Sequence, residues 1–345
     1  MIPSQSDGAM AGIAPWRDQD TTIKRLLKPP ARLVFGSLGW IQERLLPDYQ
    51  LRYSPVFIIG IPRSGTTLLC QVANHALATC YFTNLASRLR VQGIRRPPVV
   101  FSAWLAKSFK LTDRRQETFQ SDYGMTRGWG NPTDNVMIWQ HWFPNHPMCA
   151  GELPPDDQRA VYQAVAGTER VFGRPFVDKC THSSLRIPAL AEVFPTALLI
   201  LCIRNPLAIA QSLYVGWTRS GRPPDKWGAA RPEEFEDLKH KSVVERVCGL
   251  VYYLQQNIAQ GLAAVSPERI LSVDYRNVCL DPQRQVSEIA DFMNRHGAPT
   301  KQIRPVPTRF PFSHTRRVDV TTYQALIDQL EHLYGHEMER LDEPS

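Results

Sequence analysis

The segment Gly60-Ile61-Pro62-Arg63-Ser64-Gly65-Thr66-Thr67 follows the apolar run Val56-Phe57-Ile58-Ile59 and has the composition of a loop that binds a phosphate-like group. Glycines frame a turn between a strand and a helix, so successive backbone N–H groups and the positive helix end converge on one anion. In the nucleotide-binding pattern G-x-x-x-x-G-K-[ST], Gly60, Gly65 and Thr67 stand in place, but Thr66 replaces the lysine that reaches toward a β/γ-phosphate. Arg63 is then the cation of the loop, and its planar fork suits tetrahedral oxygens. A second apolar run, Ala197 to Ile203, leads into Arg204-Asn205-Pro206, with Ser212 in the helix that follows. Arg204 falls at the carboxyl end of that run, where open α/β sheets bind ligands. Two anion sites suit a nucleotide that carries groups at both its 5′ and 3′ positions.

Gly60 to Thr67 resembles the 5′-phosphosulfate loop of the sulfotransferases that use 3′-phosphoadenosine 5′-phosphosulfate (PAPS), which reads G-x-P-R/K-S-G-T-T after a buried strand. Arg204 to Ser212 resembles the same family's R-x-P-x-x-x-x-x-S element. The resemblance implies that Arg63, Ser64, Gly65, Thr66 and Thr67 cradle the phosphosulfate, and that Arg204 and Ser212 hold the 3′-phosphate. The intervening Lys179-Cys180-Thr181-His182 looks like the family's K-x-x-H segment, which implies a lysine near the bridging oxygen of the donor and a histidine as general base. Asn131-Pro132-Thr133-Asp134 resembles the S-P-x-E loop of other branches, with Asp134 in place of the usual glutamate base. Read from residue types alone, Asp134 is first an N-terminal cap for the apolar helix Val136 to Trp142. Asp274-Tyr275-Arg276 resembles a late V-x-Y-E-x-L strand, and Arg309, Arg316 and Arg317 precede the final helix as candidates to close over the nucleotide.

The elements that must position these residues alternate. Strands are expected at 56–60, 175–179, 197–203 and 269–275, and helices at 66–78, 184–193, 206–215, 242–265 and 282–295. This order predicts an α/β fold in three layers, a mainly parallel sheet covered by helices on both faces, similar to P-loop nucleotide hydrolases. The resemblance implies a sulfotransferase domain over 51–340 and leaves 1–50 as an N-terminal extension. In that extension Leu33, Val34, Leu38, Ile41, Leu45 and Leu46 form one helical stripe behind Lys24, Arg25, Lys28 and Arg32, expected to pack on its own domain or a partner, with peripheral membrane contact as the lesser reading. Residues 81–150 interrupt the sheet pattern and are rich in aromatics, Trp104, Phe109, Trp129, Trp139 and Trp142 among them. They read as the acceptor-binding insert for a small molecule, glycan or lipid, although core packing explains many of them.

Composition narrows the remaining classes. The chain has 345 residues, 43% hydrophobic and 21% charged, enough to bury a sizeable core. Its net charge of +7 is spread along the chain, and Arg88, Arg90, Arg95 and Arg96 sit in no nucleic-acid motif, so a polyanionic donor is a better partner than nucleic acid. Seven cysteines, odd in number and without a C-x-x-C pair, argue against a disulfide scaffold or zinc site and point to a reducing, cytoplasmic setting. No apolar stretch has the length of a membrane span or the form of a signal peptide. The oligomeric state stays open, a homo-oligomer included.

The expected reaction is transfer of a sulfuryl group from PAPS to a hydroxyl or amine, with adenosine 3′,5′-bisphosphate as leaving group and no metal required. The rival is an Mg-ATP-dependent P-loop kinase or ATPase with Asp178 as its metal-holding carboxylate; a nucleotide-binding regulator without chemistry is the third reading.

Overall fold

The computed structural model describes residues 37–42, 47–89, 97–113, 117–121, 124–132, 134–143, 146–220 and 230–343. Four strands, β1 (Val56–Ile59), β2 (Val177–Lys179), β3 (Leu198–Ile203) and β4 (Ile270–Asp274), form one parallel sheet in the order β2-β1-β3-β4. The register pairs Ile58 with Lys179 on one side and with Ile200 on the other. β1 is therefore central, flanked by the two strands that carry the other candidate site residues, and the chain reverses its direction of travel across the sheet beside it. Ligands bind at such a switch point, outside the carboxyl ends of the strands.

Both faces of the sheet are buried, and the period of two assigns each residue its face. Phe57, Ile59 and Leu199 pack into one apolar cluster with Phe176, Trp139 and Phe194. Val56, Ile58, Val177, Leu198 and Ile200 pack into a second, with Leu69, Val72 and Ile289. The fold is thus α/β with helices on both faces of a parallel sheet, as the element order predicts.

Three differences concern the site. Strand β4 stops at Asp274, whose side chain accepts the Arg276 N–H at 2.7 Å and starts a short helix, Tyr275–Leu280; Tyr275 is a helical residue, not the end of a strand. The segment expected to begin a helix at 184 instead runs as a 3₁₀ turn, Thr181–Leu185, before the helix Ile187–Val193. An 18-residue helix, Pro155–Phe172, crosses the region left without elements. Its Pro at N1, Asp156 and Asp157 in the first turn and Gly173 in the left-handed conformation at its end are ordinary start and stop signals.

Within 81–150, Tyr81, Phe82, Trp139, Trp142 and Phe143 are core residues, whereas Trp104, Phe109 and Trp129 are exposed. Of the amphipathic stripe only 37–42 falls inside the described residues; it is helical and leaves Ile41 exposed. The rest of that stripe, together with Arg90, Arg95 and Arg96, lies outside them. Arg88 sits over the Trp129 ring at 5.0 Å. Among the described residues no helix is long and apolar enough to cross a membrane.

Candidate active site

The loop after β1 folds around two glycines with positive φ. Gly60 (φ 156°) leaves no room for a side chain, since a Cβ there would lie 2.8 Å from Ser64 Oγ and 2.9 Å from the Thr66 methyl. Gly65 (φ 102°) lies under the Tyr275 ring, and a Cβ would come within 2.0 Å of it. Arg63 between them is also left-handed, with φ 75°. The Cys202 thiol reaches the Ser64 carbonyl at 3.3 Å and ties the turn to β3.

The helix that follows, Thr66–Ala76, begins at Gly65 with no side-chain cap and no acid in its first turn. Three other long helices are capped by side chains, Ser242 with Glu245 in a capping box and Asp281 and Asp319 at theirs, whereas Pro155–Phe172 lacks a side-chain cap but carries Asp156 and Asp157 in its first turn. The open N-terminus behind the loop keeps its first N–H groups for an anion. Thr66 is buried, and the Ser64 hydroxyl is buried without a partner, so both belong to the inner wall of the loop. Thr67 faces outward, and its Oγ1 receives a hydrogen bond from Lys179 Nζ at 3.2 Å.

Lys179, at the end of β2, is 2% exposed. Its ammonium donates to Asp134 Oδ2 at 2.6 Å as well as to Thr67. Asp134 is fixed further by Thr181, whose N–H donates to Oδ1 at 3.4 Å and whose hydroxyl donates to Oδ2 at 3.2 Å. The capping role read for Asp134 is not realised. Asn135 is the N-cap residue of the helix Val136–Trp139, which has no side-chain cap, because the carboxylate is drawn to a buried ammonium instead. Sequence proximity favours the cap; an opposite charge in a low-dielectric site outweighs it.

His182 lies in the 3₁₀ turn, 5% exposed, and its Nδ1 has no hydrogen-bond partner. Burial, and then the charge of Arg186, push its pKa down to about 4, while the Asp134 charge works in the opposite direction. The ring is neutral at pH 7, which leaves it able to accept a proton. Ser184, in the same turn, belongs to no sequence motif of the site. Its Oγ accepts the Gly60 N–H at 2.9 Å and donates to the Gly60 carbonyl at 3.1 Å, clasping the turn to the first glycine of the loop. Ser184→Ala leaves two buried backbone groups unpaired and is expected to destabilise the fold by about 2 kcal/mol and to weaken donor binding. Urea unfolding and bisphosphate titration of the variant measure both; an unchanged stability would contradict the clasp.

Asp178 faces away from the loop. Its two oxygens accept Asn135 Nδ2 and Trp139 Nε1, each at 2.7 Å, and burial pushes its pKa up to about 8. Adjacent strand residues point to opposite faces, so with Lys179 turned to the loop Asp178 is committed to the core. It is not placed to hold a metal for the loop, as the kinase reading requires.

Arg204, past the end of β3, donates from Nη1 to the Arg63 carbonyl at 2.8 Å and lies over the Tyr275 ring at 4.7 Å. Burial lowers its pKa, and Arg317 and Arg63 add repulsion. The Arg63 Nε donates to Ser212 Oγ at 3.0 Å, so this guanidinium is turned toward Arg204 and Ser212 instead of lying over the loop. A cavity of about 140 Å³ opens here, lined among the described residues by Arg63, Arg204, Arg219 and Arg317 with Ser212 and by no carboxylate. Of the three arginines before the final helix, Arg317 alone lines it. Its N–H donates to Gln211 Oε1 at 2.6 Å, and Gln211 in turn donates to the Thr315 carbonyl. Arg316 is paired with Glu343, and Arg309 is no part of the lining. Four like charges around one cavity are repulsive until an anion enters.

Solved structures similar to this chain include sulfotransferases. Sulfotransferase STF1 from Mycobacterium tuberculosis H37Rv aligns at 14% identity and TM-score 0.49 over 79% of this chain and 76% of its own. Sulfotransferase STF9 from Mycobacterium avium aligns at 18% identity and TM-score 0.46 over 93% and 79%. The sulfotransferase domain from the curacin biosynthetic pathway aligns at 14% identity and TM-score 0.42 over 84% of each. No curated protein matches. The model of the sulfotransferase family matches residues 55–296, from the strand before the loop to the helix Pro282–Arg295, and the chain belongs to that family.

Proposed function

We propose that this protein transfers the sulfuryl group of PAPS to a hydroxyl or amine by in-line displacement, releasing adenosine 3′,5′-bisphosphate. The observation that carries the donor assignment is the pairing of two anion sites of different make, an uncapped helix end behind the loop and a cavity of four arginines with Ser212. The first suits the 5′-phosphosulfate and the second the 3′-phosphate. ATP has no 3′-phosphate to occupy the second. Arg63 then serves the 3′ side, and the loop N–H groups with Thr67 serve the 5′ side.

Lys179 is placed to meet charge that builds on the bridging oxygen as the bond to sulfur breaks, and Thr67 and Asp134 hold its ammonium in position. His182 takes the proton of the acceptor. Asp134 is less suited to that task, because its oxygens are engaged by Lys179 and Thr181, whereas His182 Nδ1 is unengaged and its ring neutral. The bisphosphate is a good leaving group, so the reaction requires no metal. Residues 51–340 act as the catalytic domain, 81–150 contribute to acceptor binding, and the acceptor is a small molecule, glycan or lipid.

The test is transfer of label from radiolabelled PAPS to a panel of alcohols, phenols and amines, with His182→Ala and Asp134→Asn beside wild type. His182→Ala is expected to lower kcat about 10²- to 10³-fold. Protonation of His182 disables a base, so wild-type activity falls as pH drops through its pKa, and the acid limb is expected near pH 4 and not near the usual 6.5. Full activity in His182→Ala, or an acid limb at 6.5, would overturn its assignment as base.

A further inference from the structure

Arg186 stands one turn beyond His182 and is 0% exposed. Its Nε donates to the His182 carbonyl at 3.1 Å, but neither Nη1 nor Nη2 has a hydrogen-bond partner. The Phe143 ring lies 5.0 Å from its central carbon and offers a π-face, which attracts the cation without accepting the N–H fork. Two carboxylates act with Arg186 on the nearby Cys180, and both are already engaged, Asp134 by Lys179 and Asp178 by Asn135 and Trp139. Burial pulls the Arg186 pKa down to about 10, which still leaves a cation at neutral pH. Native proteins rarely bury a guanidinium with a bare fork, because the desolvation cost is offset only by an anion with matching hydrogen bonds. Two further buried polar atoms are unpartnered, His182 Nδ1, four residues before Arg186, and the indole N–H of Trp142, the sequence neighbour of Phe143.

We propose that Arg186 is an acceptor-recognition residue whose guanidinium fork binds a carboxylate carried by the acceptor, setting the acceptor's hydroxyl or amine against His182. The substrate class is thus hydroxy or amino acids and their acyl-chain relatives, not neutral sugars or alcohols. A carboxylate matches the planar fork with two parallel hydrogen bonds, which fixes orientation as well as supplying charge. Because Arg186 and His182 are both covered, the acceptor reaches them only as the covering side chains yield. This inference rests on the assignment of His182 as the acceptor-side base.

The test is calorimetry on full-length protein saturated with adenosine 3′,5′-bisphosphate, whose own binding reports separately on the donor site. The probes are p-hydroxybenzoate, lactate and an ω-hydroxy fatty acid, each against its primary amide, with acetate as a simple anion. At least one acid is expected to bind about tenfold or more tightly than its amide, as a charge-assisted fork implies. Arg186→Met is expected to abolish that preference and Arg186→Lys to retain part of it, with bisphosphate affinity unchanged in both. If every acid binds no better than its amide, if the preference survives in Arg186→Met, or if acetate binds as well as the hydroxy acids, the proposal is overturned while the donor assignment stands. The acid and amide comparison in wild type needs no variant, so misfolding of Arg186→Met does not blunt it. Absence of bisphosphate binding would overturn the donor assignment and this inference with it.

Discussion

Lys179→Ala is expected to lower the single-turnover rate of sulfuryl transfer by about 10²- to 10³-fold, the cost of removing one preorganised donor aimed at charge that develops in the transition state. The bridging oxygen carries little charge in bound donor and much as the bond breaks, so the loss falls on the rate while affinity for bisphosphate changes little. The ammonium is already fixed in this structure by Thr67 and Asp134, and the protein supplies its orientation before the donor arrives. Removing one partner of a buried ion pair also strands the other, which costs about 3–5 kcal/mol of stability in a fully buried pair. Asp134 keeps two hydrogen bonds from Thr181, which limits that loss. Comparing Lys179→Ala with Lys179→Ala/Asp134→Asn separates the effects, because the double variant should recover stability without recovering rate. A single variant that turns over within threefold of wild type would remove Lys179 from the chemistry.

Arg204→Ala is expected to weaken binding of adenosine 3′,5′-bisphosphate by about 100-fold, the upper part of the range for a hydrogen bond to a charged group. Arg204 donates to the Arg63 carbonyl within the loop, stacks on Tyr275 and faces the arginine cavity. Its removal therefore takes one charge from the arginine cavity, the proposed 3′ site, and loosens the turn proposed to hold the 5′ group. Adenosine 5′-monophosphate distinguishes the two effects. Its affinity should fall far less than that of the bisphosphate if the charge at the 3′ site is what counts. Equal losses for both nucleotides would mean that Arg204 acts only by holding the loop.

The parts of the site that were legible in the sequence are those made by consecutive residues. A strand, a glycine-framed turn and a helix follow one another from Val56 to Ala76, and local signals are sufficient to read them. Arg204 was legible because strand ends in a parallel sheet share one edge of the molecule, and Lys179 through the resemblance of Lys179 to His182 to the K-x-x-H segment of sulfotransferases. The residues read differently were decided by one long-range contact and one local cap. Asp134 looked like a cap until Lys179, remote in the chain, claimed it. Tyr275 looked like a strand end, although Asp274 before it is a competent cap and the ring is needed over Gly65. Ser184, clasped to Gly60 across 124 positions, carries no local signal at all. Gln211, which fixes the segment bearing Arg317, is equally silent. The helix Pro155–Phe172 is different: its proline, its aspartates and its closing glycine were present to be read.

Donor identity is tested most directly by calorimetric titration of wild-type protein with adenosine 3′,5′-bisphosphate and with ATP, each with and without Mg²⁺. The two anion sites predict binding of the bisphosphate that needs no metal and is at least about tenfold tighter than that of ATP in either condition, since only the bisphosphate fills the cavity of Arg63, Arg204, Arg219 and Arg317. Tighter binding of Mg-ATP than of the bisphosphate would contradict the assignment of PAPS as donor.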